Sequence, residues 1–140
     1  MTALNIISQG RSKDTDTTDT IDIIDSVYTI DSVCSKCIGQ NQSTLGMMQC
    51  TYQAQLAWDS VMYKYYNLLM DILKDDEKEL LKNAQNTWTS FRDIEFRFSE
   101  TTYYNIGGTM YHIICSDSKM NIVRTRALEL KGYYDDLTGK

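Results

Sequence analysis

Apolar residues recur at three- and four-residue steps from Thr44 almost to the C-terminus, and no proline interrupts them. Long α-helices are the regular structure that buries such a pattern. Met48, Tyr52, Leu56, Tyr63, Tyr66, Met70 and Leu73 trace one stripe of a first long helix from about Thr44 to Leu73, and Trp58, Met62, Tyr65, Leu69 and Ile72 widen it. So broad an apolar face predicts a central helix, packed from more than one side. Asp59 interrupts the stripe beside Leu56 and Tyr63, where a carboxylate needs a partner.

Asp76 followed by Glu79 has capping-box spacing, and Leu80, Leu81, Ala84, Trp88, Phe91, Ile94 and Phe98 continue at helical period, which predicts a second helix over about Glu77 to Ser99. Asn105-Ile106-Gly107-Gly108 then marks a loop, since paired glycines favour positive φ. A third helix is expected to begin near Ser116 or Ser118, with Met120, Val123, Ala127, Leu130, Tyr134 and Leu137 forming a bundle seam. Before Cys34, the segment from Thr20 to Tyr28 is nearly echoed by Thr29-Ile30-Asp31-Ser32-Val33. Its β-branched residues suit a strand, but Ile21, Ile24 and Tyr28 also share a helix face, and a short amphipathic helix on the bundle is the expectation.

At 140 residues the chain supports one core. Residues 1–33 hold six acids against Arg11 and Lys13 and are rich in Ser, Thr and Asp, so this segment is expected to be partly disordered, with residues 34–140 forming the helical domain. Thirteen acids and twelve bases remain in that domain. A nearly neutral fold gives nucleic acid no electrostatic footing. There is neither a run long and apolar enough to span a membrane nor a secretory signal pattern. Export is inferred from four cysteines in a short chain, Cys34, Cys37, Cys50 and Cys115, which point to disulfides and an oxidising compartment. The expected location is periplasmic, secreted or envelope-anchored, after loss of a signal outside this chain. The resulting fold class is all-α, a small antiparallel bundle of three long helices plus a short N-terminal helical segment, stapled by disulfides.

Cys34-x-x-Cys37 with His112-x-x-Cys115 supplies the ligand types of a Cys3His zinc site and so raises a zinc-stabilised module as an alternative. Against it, Cys50 is left over and 74 residues separate the pairs, so disulfides rank ahead and no metal or cofactor is expected. A thioredoxin-like role for Cys34 and Cys37 lacks its βαβ setting. His112 is the single histidine, without a nucleophile and base to complete a triad. Asp75, Asp76, Glu77 and Glu79 are explained as helix N-terminal acids favoured by the macrodipole. With no catalytic constellation, the chain is read as a binding protein. Trp88 and Arg92 lie one turn apart, so the guanidinium can rest on the indole and reach Asp59, which predicts a structural ion pair between Asp59 and Arg92. Tyr103, Tyr104 and Tyr111 cluster around the Gly-Gly loop, where aromatic rings with a polar tip suit contact with another protein.

Cys37, Met47, Cys50, Asp59, the run from Leu81 to Asp93 with its Ala84-Gln85, Trp88 and Arg92-Asp93, then Gly107-Gly108-Thr109, Cys115 and Arg124-Thr125 fall in one order. In this the chain resembles the lysozyme inhibitor LprI family over about residues 34–137. The resemblance implies a helical domain of a periplasmic or surface lipoprotein, with a protein partner such as a lysozyme, and it also admits an immunity or assembly role for another envelope protein. It marks Ala84, Gln85, Trp88, Arg92, Asp93 and Arg124 as signature residues. The family's Gly-Gly-Ser loop corresponds to Gly107, Gly108 and Thr109, with Thr in place of Ser, and together with the neighbouring Tyr103, Tyr104 and Tyr111 these form the candidate partner-binding set. The chain departs from the family at Phe96, which stands where a cysteine is usual. On the family pattern Cys37 pairs with Cys50, and the extra Cys34 is expected to pair with Cys115, one of three possible connectivities.

Overall fold

The computed structural model describes residues 16–140, with side chains described from Tyr28 onward. Four helices follow one another: α1 (Asp16–Gln40), α2 (Thr44–Ile72), α3 (Asp75–Ile106) and α4 (Thr109–Thr138). Among the described residues there is no strand, and no helix is long and apolar enough to cross a membrane. Three boundaries differ from expectation, and one is the end of α3, which runs to Ile106, seven residues past Ser99. The N-terminal helix is not short: α1 is 25 residues long and runs through residue 33 without a break, while residues 1–15 of the acidic segment lie outside the described residues. Helix α4 starts at Thr109 instead of near Ser116 or Ser118, because two glycines suffice to reverse the chain.

Short links with specific chemistry join the helices. The Ser43 hydroxyl accepts the Gly46 N–H at 3.0 Å and caps α2. Gly46 itself is required by close approach, since a Cβ there would lie 2.8 Å from Asn41 Cβ and 2.9 Å from Ser43 Oγ. Between α2 and α3, Leu73 N–H reaches Leu69 C=O at 3.0 Å, and Glu77 Oε2 accepts the Lys74 N–H at 2.9 Å. The box thus closes on Lys74 and Glu77, two residues before the expected Asp76 and Glu79, and Asp75, Asp76 and Glu77 occupy the first turn of α3.

Helix α4 lies along α2, α1 packs on α2, and α3 leans on α4. The core is the seam of the first pair: Ala54, Trp58, Met62, Tyr65 and Leu69 against Met120, Val123, Ala127 and Leu130. Of the α2 residues read from the sequence, those given as widening the stripe are the buried ones, Ile72 excepted. Tyr52, Leu56 and Tyr63 are exposed. Where aromatic and aliphatic residues surround most of a helix, period alone leaves its inward phase open.

Cys37 and Cys50 form a disulfide that fixes the end of α1 to α2. Cys34 and Cys115 are free, which corrects the expected second bridge. Their sulfurs face different neighbours. Cys34 Sγ approaches the Cys50 carbonyl at 3.8 Å, whereas Cys115 Sγ lies 3.3 Å from Ser99 Oγ on α3. Cys115 therefore points toward the turn of α3 that carries Phe96 and Ser99. Burial, with help from Asp117 and Asp31, pushes the Cys34 thiol up, so it stays protonated at neutral pH.

The expected ion pair also changes partners. Arg92 donates to its neighbour Asp93 at 2.9 and 2.7 Å while lying over Trp88, and no cation is paired with Asp59 among the described residues. Because α3 rests on α4, a bridge from Arg92 to α2 does not form. Two pairs cross between helices, Lys119 on α4 with Glu100 on α3 and Arg124 on α4 with Asp31 on α1; in the second the separation is 2.8 Å, and the same guanidinium sits 5.2 Å over the fully buried Trp58 ring. Both charged groups are partly solvated, so the pair itself is worth less than about 1 kcal/mol. Replacing Arg124 by Ala is expected to cost about 1–2 kcal/mol, mostly through lost packing on Trp58, and Asp31→Ala about half that. Urea titrations of the two variants check the ratio.

Among the described residues, Trp58 Nε1 and Tyr65 Oη are buried without a hydrogen-bond partner. Burial, then Asp135 and Tyr134, pushes the Tyr65 hydroxyl up to about 12. The raised value favours the neutral phenol in the fold. Its contribution to stability is therefore whole below the ordinary tyrosine range near 10 and disappears as pH climbs to about 12. Melts from pH 9 to 12 should fall steeply in this window, and Tyr65→Phe should flatten that fall while leaving neutral-pH stability unchanged or raised by up to about 1 kcal/mol.

Candidate functional site

The α3–α4 hairpin ends in a two-residue turn. Gly107 and Gly108 have φ of 81° and 98° with ψ of 150° and 142°, a region essentially closed to residues with a Cβ. Space is not what requires glycine, since a Cβ on Gly107 would meet nothing within 4 Å. Gly107 N–H donates to Tyr104 C=O and Tyr111 N–H to Gly108 C=O, both at 3.3 Å, which closes the last turn of α3 and the first turn of α4.

Two ring pairs close the hairpin behind this turn. Tyr103 stacks on Tyr111 with centroids 6.3 Å apart and planes 21° from parallel, and Tyr104 meets His112 at 4.1 Å. Tyr103, Tyr111 and His112 are half-buried; Tyr104, Gly107, Gly108 and Thr109 are exposed, joined by Ile106, Met110 and Ile114. From Thr101 to Ser116 sixteen residues pass without a formal charge. The tip is thus aromatic, aliphatic and uncharged, the composition of an interface centre. That uncharged run is legible in the sequence and would have flagged Ile106 and Met110. Beside the tip, Leu45, Met48, Tyr52, Tyr104 and Lys119 line a groove of about 270 Å³, with Lys119 paired to Glu100 at its edge.

Of the residues that the resemblance marks, Gln85 and Arg124 tie helices together behind the tip. Gln85 is buried and accepts a hydrogen bond from Arg126 Nε at 3.0 Å while its amide lies 3.5 Å from Met62 Sδ, tying α3 to α4 and α2. Arg126, absent from the sequence reading, is completed by Glu129 at 3.1 Å. Ala84 is exposed at the edge of α3, and Trp88 is half-buried under Arg92. The zinc alternative fails on its ligands. Cys37 is bonded to Cys50, His112 is stacked on Tyr104, and among the described residues no group of three or more His, Cys, Asp or Glu is placed to hold a metal.

Substituting Gly107 or Gly108 by Ala is expected to cost about 1–3 kcal/mol each, from backbone strain alone. Chemical denaturation checks this, and an unchanged midpoint in both variants would mean that the turn tolerates a Cβ.

No curated protein matches the chain. Among solved structures, it is similar to an uncharacterised protein from Burkholderia thailandensis, at 28% identity and a TM-score of 0.72. The match covers 76% of this chain and 54% of the other, so this chain spans about half the length of that relative. Residues 34–130 match the family described as lysozyme inhibitor LprI. That span takes in the disulfide, the Gln85 to Asp93 signature, the hairpin tip and the Arg124 anchor, and on it the chain belongs to the lysozyme inhibitor LprI family.

Proposed function

We propose that this domain binds a protein partner through the α3–α4 hairpin tip, and that the partner is a lysozyme-type cell-wall hydrolase whose groove the tip occupies. The observation that carries this reading is the exposed, uncharged tip of Tyr104, Ile106, Gly107, Gly108, Thr109 and Met110, held rigid by the two ring pairs. A tip fixed before binding loses little entropy on docking. Family membership supports the choice of a lysozyme, and it supports a non-enzymatic role. The family and the Cys37–Cys50 bond both support a location outside the cytoplasm, periplasmic or envelope-anchored.

The nearly neutral helical domain supplies little long-range steering, so shape and apolar contact carry the interaction. Purified protein is expected to slow lysis of a cell-wall suspension by at least one lysozyme class. Tyr104→Ala and Ile106→Asp should each weaken inhibition by at least about tenfold with helicity unchanged, the size expected for losing a central anchor. Removal of residues 1–15 should leave it intact. A folded chain that inhibits no lysozyme class yet holds a different envelope protein would replace this reading with the immunity or assembly role.

A further inference from the structure

Helix α3 carries two apolar stripes, of which the bundle uses one. Leu81, Gln85, Trp88, Phe96 and Ser99 face α4 and the core. The other stripe is open: Leu80 is 69%, Phe91 52%, Ile94 59% and Phe98 61% exposed, with exposed Ala84 and Thr87 between them. At about 100° per residue these six positions fall within about 40° of one line, over a length of about 27 Å. Grooves beside α3 continue the apolar surface onto α4, past Ile122 and on to Tyr133 and Leu137. The four large side chains alone present on the order of 450 Å² per copy, a patch in the range that marks interaction sites. Two such faces with their rims approach the roughly 1,200 Å² at which specific interfaces begin.

We propose that this outer face of α3 pairs with the same face of a second copy of the chain, as an antiparallel helix pair with two-fold symmetry. The sequence of the stripe is complementary to its own reversal about Thr89. Leu80 comes opposite the partner's Phe98, Ala84 opposite the partner's Ile94, and Thr87 opposite the partner's Phe91. Small residues thus meet large ones in the middle, and the ends are closed by large pairs, which is what an isologous contact requires. The charges agree with the same register. Glu79 and Arg97 lie on the same flank of the stripe, both exposed, and neither is in an ion pair among the described residues. Equal flanks face each other in an antiparallel pair, so Glu79 meets the partner's Arg97 and Arg97 meets the partner's Glu79. The hairpin tip extends beyond the start of the partner's α3, so both tips stay free at opposite ends of the pair.

Sedimentation equilibrium of the full chain, checked on a non-reducing gel for the absence of an intermolecular disulfide, should show a dimer in the range of about 1–100 µM, where weak specific pairs dissociate. Phe91→Asp should raise the dissociation constant at least about 100-fold with unchanged circular dichroism. Glu79→Arg and Arg97→Glu, which lie on the surface and leave the fold intact, should each weaken the dimer about tenfold by creating two like-charge contacts, and the double swap should return it to within about threefold. A chain monomeric throughout that range overturns the proposal and leaves the face to a different protein. A dimer indifferent to Phe91→Asp overturns it as well, and a double swap as weak as the singles overturns the antiparallel register.

Discussion

Packing of α2 on α4 is the constraint on which the other helices depend. Trp58, Met62, Tyr65 and Leu69 meet Val123, Ala127 and Leu130 with at most 1% of any of these side chains exposed. Each large member contributes roughly 1.5–3 kcal/mol on burial, far more than any ion pair in the molecule. Neither α1 nor α3 has such a seam. They are held at the edges of this one, α1 by the disulfide and the Asp31–Arg124 contact, and α3 by Gln85 and its partly buried aliphatic and aromatic residues.

The two arginines of α4 divide that work by helical geometry. Arg124 and Arg126 are two residues apart, about 200° around the helix, so they leave α4 on nearly opposite sides. One crosses Trp58 to reach α1, and the other reaches Gln85 on α3. A long side chain with several donors serves both positions because its stem covers apolar surface while its head finds an acceptor. The free Cys115 belongs to the same account. With Phe96 on the neighbouring turn of α3, the surroundings of this thiol are a ring over which Lys119 and Arg92 both lie and a contact to Ser99.

Much of this was legible in the sequence because helices dominate it and its turns are chemically marked. Paired glycines located the hairpin, uninterrupted periodicity located three of the helices, and the family pattern identified Cys37–Cys50. The errors have a common origin. Period and spacing describe one helix at a time, whereas the inward phase of α2, the partner of Arg92 and the direction of Cys115 depend on which helices are neighbours. An Asp59–Arg92 pair requires the second long helix to lie against the first. The structure places it on α4, which removes the Asp59 pair, while the second disulfide is absent because Cys34 faces the Cys50 carbonyl and Cys115 faces Ser99. The start of α4 was misplaced for a local reason, since nothing in Thr109 to Cys115 opposes a helix once two glycines have made the whole turn.

The chain order of the core has a consequence during synthesis. The buried face of α2 emerges early, but its partners on α4 are separated from it by the whole of α3. A growing chain can begin separate helices, yet Trp58 and Tyr65 lack their α4 partners until Val123 and Leu130 appear. The nascent domain therefore carries an open aromatic face while α3 is made, and its cooperative closure waits for α4.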